Sequence, residues 1–197
     1  MRAVVVALGK IGLPLAVHIA RAGHEVVGCD IDPAVVYAIA RQESGFNPRV
    51  VSPANAMGLM QVTPAAGKYV AKKFGVAYDG ARLLSDQTYN VQIGSAELAD
   101  LIRDYRGSYI MAFAGYNAGR GRVKTWVGRY GDPRDANVDA VDWVERIPFA
   151  ETRNYVQRIL ENMQVYRARF GGGSQLRIEA DLHGGRGAGG REAGEAE

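Results

Sequence analysis

Apolar and polar positions change their rhythm twice along this chain. Residues 1–32 read as strand, turn, helix, strand. Val4, Val5 and Val6 are β-branched, Gly9 and Gly12 punctuate a turn, 13–22 is helix-like, and Val26 and Val27 start a second apolar run that ends at Asp30. From residue 33 the period changes to that of helices. Asp32-Pro33 is an N-cap and N1 pair, and Asn47-Pro48 is expected to end the helix it opens. Thr63-Pro64 opens a second helix, running to about Phe74. Asp86 can cap a long third one, with Tyr89, Ile93, Leu98, Leu101, Ile102 and Tyr105 near a period of 3.6. Ser108 to Tyr116 is a short apolar helix. Glu151 stands at the start of a last long one, whose face is Tyr155, Val156, Ile159, Leu160, Met163 and Tyr166. Residues 171–197 are rich in glycine and poor in large apolar groups, so they are expected to be a largely disordered tail. The predicted organisation is a βαβ segment at 1–32, a mostly α domain at 33–170 and the tail.

Composition narrows the class. The 197 residues are 47% hydrophobic and 23% charged, as in ordinary soluble domains, and the formal net charge is only +3. No Lys/Arg run tracks a nucleic-acid backbone, so nucleic acid is not an expected partner. Cys29 is the only cysteine and excludes an intrachain disulfide. His18, His24 and His183 are scattered, and no metal site is expected. No stretch is long and apolar enough to span a bilayer as a helix. Met1 to Leu8 begin like a signal peptide, but Lys10 interrupts the apolar run, so no clean export signal is predicted.

The candidate chemistry lies in four short motifs. Glu43 falls in Ala38-Ile39-Ala40-Arg41-Gln42-Glu43-Ser44, at the end of an apolar helix. Burial there raises a glutamate's pKa and makes it a proton donor near neutral pH. In Ala56-Met57-Gly58-Leu59-Met60-Gln61, glycine allows close backbone approach and Gln61 offers a donor and an acceptor to a sugar. The same pattern also suits a turn before an amphipathic segment. Gly115-Tyr116-Asn117-Ala118-Gly119 places a phenol and an amide on a helix-to-loop bend. There Tyr116 could equally be a core tyrosine and Asn117 a helix cap. Ile147-Pro148-Phe149-Ala150-Glu151-Thr152 starts the last helix with an acid, a place the macrodipole favours on its own account.

Taken in this order, the motifs resemble the catalytic domain of soluble lytic transglycosylases, a lysozyme-like family acting on bacterial peptidoglycan. The resemblance covers roughly residues 34–170 and includes Asn47-Pro48, Ser52-Pro53 and Arg122-Val123-Lys124-Thr125-Trp126. It implies a mostly α, lysozyme-like fold and non-hydrolytic cleavage of the bond between N-acetylmuramic acid and N-acetylglucosamine, leaving a 1,6-anhydro end. Glu43 matches the family's single catalytic acid/base. Tyr116 matches a tyrosine that orients it. Ser52, Gly58, Met60, Gln61, Asn117 and Glu151 match substrate-binding or site-supporting positions, and Ser44 matches a structural one. The implied partner is the peptidoglycan glycan strand, acted on by a monomer without cofactor, in the periplasm or cell envelope. A hydrolytic muramidase is the alternative. Thr63 stands where the family often has methionine, Gly115 where alanine is commoner, and Arg120 where proline is frequent.

The first zone resembles a different family. Val6-Ala7-Leu8-Gly9-Lys10-Ile11-Gly12, with Val26-Val27-Gly28-Cys29-Asp30, looks like the opening βαβ of nucleotide-sugar dehydrogenases of the UDP-glucose/GDP-mannose type. Gly9, Gly12 and Asp30 would then be the NAD-binding candidates. Ala7 occupies the first glycine position and only two strands precede the helical zone, so a truncated Rossmann-like segment without NAD function is expected.

Overall fold

Helix α1 (Pro33–Ser44) starts where the sequence expects it to: Asp32 Oδ1 accepts from Ala34 N at 2.9 Å and Pro33 sits at the first turn. It stops earlier than the Asn47-Pro48 signal implies. Gly45 turns left-handed at φ 58 and its N–H closes on Arg41 O, so the glycine cap ends the helix before the proline can. The computed structural model describes residues 2–6, 25–29, 31–170 and 176–184.

Strands β1 (Arg2–Val6) and β2 (Glu25–Cys29) pair in parallel, Arg2 opposite Glu25 and Val6 opposite Cys29. Residues 7–24, with the expected turn and helix and both Gly9 and Gly12, lie outside the described residues, as does Asp30. The Rossmann-like reading finds no support beyond this pair: among the described residues the sheet has two strands, too few to bury both faces.

The helices that follow are α2 (Pro64–Phe74), α3 (Arg82–Ser85), α4 (Gln87–Asp104), α5 (Tyr109–Ala118), α6 (Arg120–Tyr130), α7 (Ala140–Glu145), α8 (Ala150–Arg169) and α9 (Ile178–Leu182). Their caps are local side-chain chemistry. Thr63 Oγ1 accepts from Ala66 N at 3.2 Å, Asp86 Oδ1 from Tyr89 N at 3.0 Å, and Asp139 Oδ1 from Asp142 N at 2.9 Å. All six positions of the expected apolar face of α8 are buried.

The described residues divide into two compact units, whose boundaries fall within α4 and within α8. The first runs through Asp100 and includes 165–170. Its core holds Val35, Ile39, Met60, Leu83 and Leu98, each under 2% exposed. Asp32, besides capping α1, accepts from Arg167 Nε at 2.7 Å, which fastens the start of α1 to the end of α8. The fully buried carboxylate of Asp100 takes Lys73 Nζ at 2.6 Å and so joins α4 to α2.

The second unit spans Leu101–Gln164 with 176–184 and is built around Leu101, Ile110, Phe113, Trp143, Ile147 and Ile159. Part of the expected tail belongs here. Gln164 Nε2 donates to the buried Asp181 Oδ2 at 2.8 Å, and Gln164 Oε1 accepts from Arg177 N at 3.0 Å, so one amide holds α9. Residues 171–175 and 185–197 lie outside the described residues.

Candidate functional site

The first unit carries Glu43, Ser52, Gly58, Met60 and Gln61. Glu43 is the penultimate residue of α1 and is half-buried. Its neighbour Ser44 turns back, with Oγ 2.8 Å from Leu59 O and 3.0 Å from Ala40 O. One hydroxyl thus ties the end of the glutamate's helix to the Gly-Leu-Met-Gln loop. This is the structural role expected of Ser44.

The loop itself is heavily self-bonded. Ser52 closes a turn, its Oγ accepting from Ala56 N at 3.0 Å. Met57 bridges Val51 on one side and Val62 on the other. Gly58 sits at φ +74, and a Cβ there would lie 2.4 Å from Asn90 Nδ2 and 2.6 Å from Leu83 O, so no other residue fits without displacement. Met60 is fully buried. A Cβ on Gly94 would stand 2.8 Å from its Sδ, so the methionine packs against a bare stretch of α4. Its side chain braces the loop from the core.

Gln61 adopts a left-handed φ of 47 and spends its amide NH2 within the loop, on Val50 O at 3.1 Å and Gly58 O at 3.0 Å. Both partners are carbonyl oxygens, which fixes the amide's orientation. What remains to offer a ligand is the acceptor Oε1, narrower than the donor-and-acceptor pair the sequence suggested.

Sequence reasoning missed Asn90. This residue, 1% exposed, is the post on which the loop hangs: Nδ2 donates to Met57 O at 2.8 Å and Leu83 O at 3.0 Å, and Oδ1 accepts from Met60 N at 3.0 Å. Every polar atom of its side chain is used. The available signal was an asparagine inside the apolar face of a long helix, where it ranks among the poorer helix formers.

The second unit carries Tyr116, Asn117 and Glu151. Tyr116 and Asn117 lie in the last turn of α5, half-buried, before Gly119 breaks the helix at φ +91. Asn117 is not simply a cap. Its Oδ1 accepts from the buried Thr152 Oγ1 at 2.6 Å, which stitches the end of α5 to the start of α8 and fixes the place of Glu151 one residue away. Glu151 is exposed and has no hydrogen-bond or ion-pair partner among the described residues. A Cβ on Gly115 would come within 3.0 Å of the Tyr105 ring, which accounts for glycine at this turn of α5. Among the described residues no cluster of three His, Cys, Asp or Glu could hold a metal ion.

The family comparison decides what these motifs are. Residues 27–138, more than half of the chain, match the model of the transglycosylase SLT domain. The chain belongs to the SLT transglycosylase family. Residues 146–175 match a second model, the soluble lytic transglycosylase helical domain. The first match begins inside β2, some residues before the boundary near 33 expected from the sequence, and nothing in these matches supports a dehydrogenase-like origin for residues 1–33.

Among curated proteins, the chain is 41% identical over 145 residues to the soluble lytic murein transglycosylase of Salmonella typhimurium, covering 73% of this chain and 22% of that protein. It is 40% identical to the Escherichia coli counterpart over the same shares. This SLT chain therefore spans about a fifth of the length of those relatives. Among solved structures, the 70 kDa soluble lytic transglycosylase of E. coli aligns with a TM-score of 0.70 at 37% identity, over 80% of this chain and 25% of that one. An inactive mutant of the Pseudomonas aeruginosa lytic transglycosylase Slt, a glutamate-to-glutamine change, aligns at 0.67 and 28% identity, over 87% and 26%. These neighbours establish the mostly helical, lysozyme-like SLT fold.

Proposed function

We propose that this SLT chain is a peptidoglycan lytic transglycosylase with Glu43 as its sole acid/base. The observation that carries the reading is the setting of Glu43: a half-buried carboxyl at the last turn of an apolar helix, locked through Ser44 to the loop that bears Gln61. Glu43 gives its proton to the glycosidic oxygen between N-acetylmuramic acid and N-acetylglucosamine, and the bond from that oxygen to C1 breaks. The carboxylate then takes the proton of the muramic acid's C6 hydroxyl as that oxygen bonds to C1. The acid is restored, an anhydro ring closes and no water is consumed. Most glycosidases set two carboxylates about the bond. Here the substrate's own hydroxyl replaces the nucleophile that a second carboxylate would supply or activate.

Tyr116 orients the acid in this reading. Gln61 Oε1 and Asn117 support the sugar, Glu151 binds along the glycan, and Gly58 shapes the loop. The family names of the relatives and the inactive glutamate-to-glutamine neighbour support the assignment. The substrate places the work in the cell envelope, and no helix among the described residues is long and apolar enough to cross a membrane.

Digestion of purified peptidoglycan followed by mass spectrometry tests the chemistry. The expected products end in anhydro sugars, lighter by one water than those of a muramidase. Reducing ends in their place would replace transglycosylation with hydrolysis.

A further inference from the structure

Arg122 is a charged side chain that the catalytic reading leaves without a task. It lies in the first turn of α6, exposed, and its guanidinium is held at two points. Nη1 donates to Ala118 O at 3.3 Å, and the guanidinium carbon stands 4.8 Å from the centroid of the Phe149 ring. Phe149 is fixed in turn, edge-on to the buried Trp126 at 5.8 Å, yet the residue remains 43% exposed. Both supports belong to the segments that carry the site: Ala118 follows Tyr116-Asn117, and Phe149 precedes Glu151-Thr152. The Thr152–Asn117 bond closes the same ring of contacts. No carboxylate pairs with Arg122 among the described residues, and Glu151, two residues beyond Phe149, makes no ion pair with it.

An arginine of this kind differs from an ordinary surface cation. Most exposed arginines lose side-chain entropy when they grip a ligand. Here stacking and a backbone carbonyl have already restricted the guanidinium. Its remaining N–H groups are a planar fork suited to both oxygens of one carboxylate. The amino end of α6, with no side-chain cap, adds a field of the same sign. The exposed ring beside the fork offers an apolar surface to the aliphatic part of the same ligand.

We propose that Arg122, seated on Phe149, is a substrate-binding residue for a carboxylate of the acidic peptide branch carried by the glycan, so that this chain reads the peptide as well as the sugar. The inference rests on the peptidoglycan reading above and deepens it. A sugar hydroxyl would use single hydrogen bonds and gain little from a preorganised cation. A branch carboxylate uses the fork, the charge and the ring together.

The test compares soluble peptidoglycan fragments with the same fragments after their peptide carboxylates have been amidated, which removes the charge and leaves the sugars and chain length intact. The readout is the ratio of kcat/KM on native to amidated fragments, for wild type, Arg122→Ala, Arg122→Lys and Phe149→Leu. The ratio is expected to fall about tenfold in Arg122→Ala. Arg122→Lys keeps a charge but not the fork and should fall between. Phe149→Leu should lower the ratio by roughly threefold, because the fork loses its seat. A ratio equal to wild type in Arg122→Ala overturns the proposal, whether both rates drop together, as a purely structural arginine would cause, or neither does. Absence of anhydro products from wild type on either substrate would instead remove the catalytic reading beneath it.

Discussion

Glu43→Gln is expected to stop the formation of anhydro products while leaving the protein folded. Glutamine keeps the shape of the side chain and can still donate a hydrogen bond, but it cannot deliver a proton to a leaving oxygen or take one from a hydroxyl. In the proposed cycle one carboxyl performs both transfers, so no second group is left to sustain a residual rate. General acid or base catalysis contributes about 10²–10⁴-fold for a single transfer. The combined loss should be at least about 10³-fold, at or below the detection limit of product analysis. Stability should move little, by under roughly 1 kcal/mol, because the change removes the cost of a partly desolvated charge and leaves the Ser44–Leu59 tie in place. The measurements are anhydro-product yield by mass spectrometry, unfolding midpoint, and co-sedimentation with purified peptidoglycan, which should persist. A variant with wild-type turnover would remove Glu43 from the mechanism. A variant that loses turnover only because it unfolds would leave the carboxylate's role to be tested by Glu43→Asp, which keeps the proton but shortens the reach.

What was legible in the sequence was chemistry that acts over a few residues. Asp32-Pro33 and Thr63-Pro64 open their helices as expected because a cap and a first-turn proline need only their immediate neighbours. The face of α8 from Tyr155 to Tyr166 was readable because one period dominates it. The end of α1 was misplaced by the proline signal at 47–48, since Gly45 reaches the left-handed region first and halts the helix. The order of the four motifs along the chain is enough to point to the SLT family. The uses of individual side chains within them were harder to foresee. Gln61 turns its donors onto its own loop, a choice that depends on a left-handed backbone at Gln61 itself. Met60 belongs to the same Gly-Leu-Met-Gln motif and is buried against Gly94, 34 positions further along the chain. Arg122 and Phe149 meet across 27 positions. No local pattern encodes contacts at that separation, because they come into being only when helices pack.

Asn90 shows the same limit most sharply and carries the second large effect. Its side chain satisfies Met57 O and Met60 N of the loop and Leu83 O of α3 at once, so it ties the loop to that helix. Alanine at 90 strips Leu83 O and Met60 N of their side-chain partner and leaves Met57 O with Val62 N alone, in a region where Asn90 is only 1% exposed. An unsatisfied buried polar group costs about 1–3 kcal/mol, but water entering the vacated space recovers part of that. Asn90→Ala should therefore destabilise by about 3 kcal/mol, read as a drop in melting temperature of roughly 6–12 °C for a domain of this size. Activity should fall even below the melting transition, because the loop that presents Gln61 and receives Ser44 has lost its post. Asn90→Asp is expected to do no better. It can still accept from Met60 N, but its second oxygen faces two carbonyls with charge and no proton to give. Gly58→Ala provides an independent check, since its added methyl would strike Asn90 Nδ2 and Leu83 O and disturb the same junction from the other side. If the double variant is no less stable than Asn90→Ala alone, the two residues act through one shared contact. If Asn90→Ala melts within about 2 °C of wild type, the loop is held by its own backbone bonds, and the asparagine is a satisfied bystander.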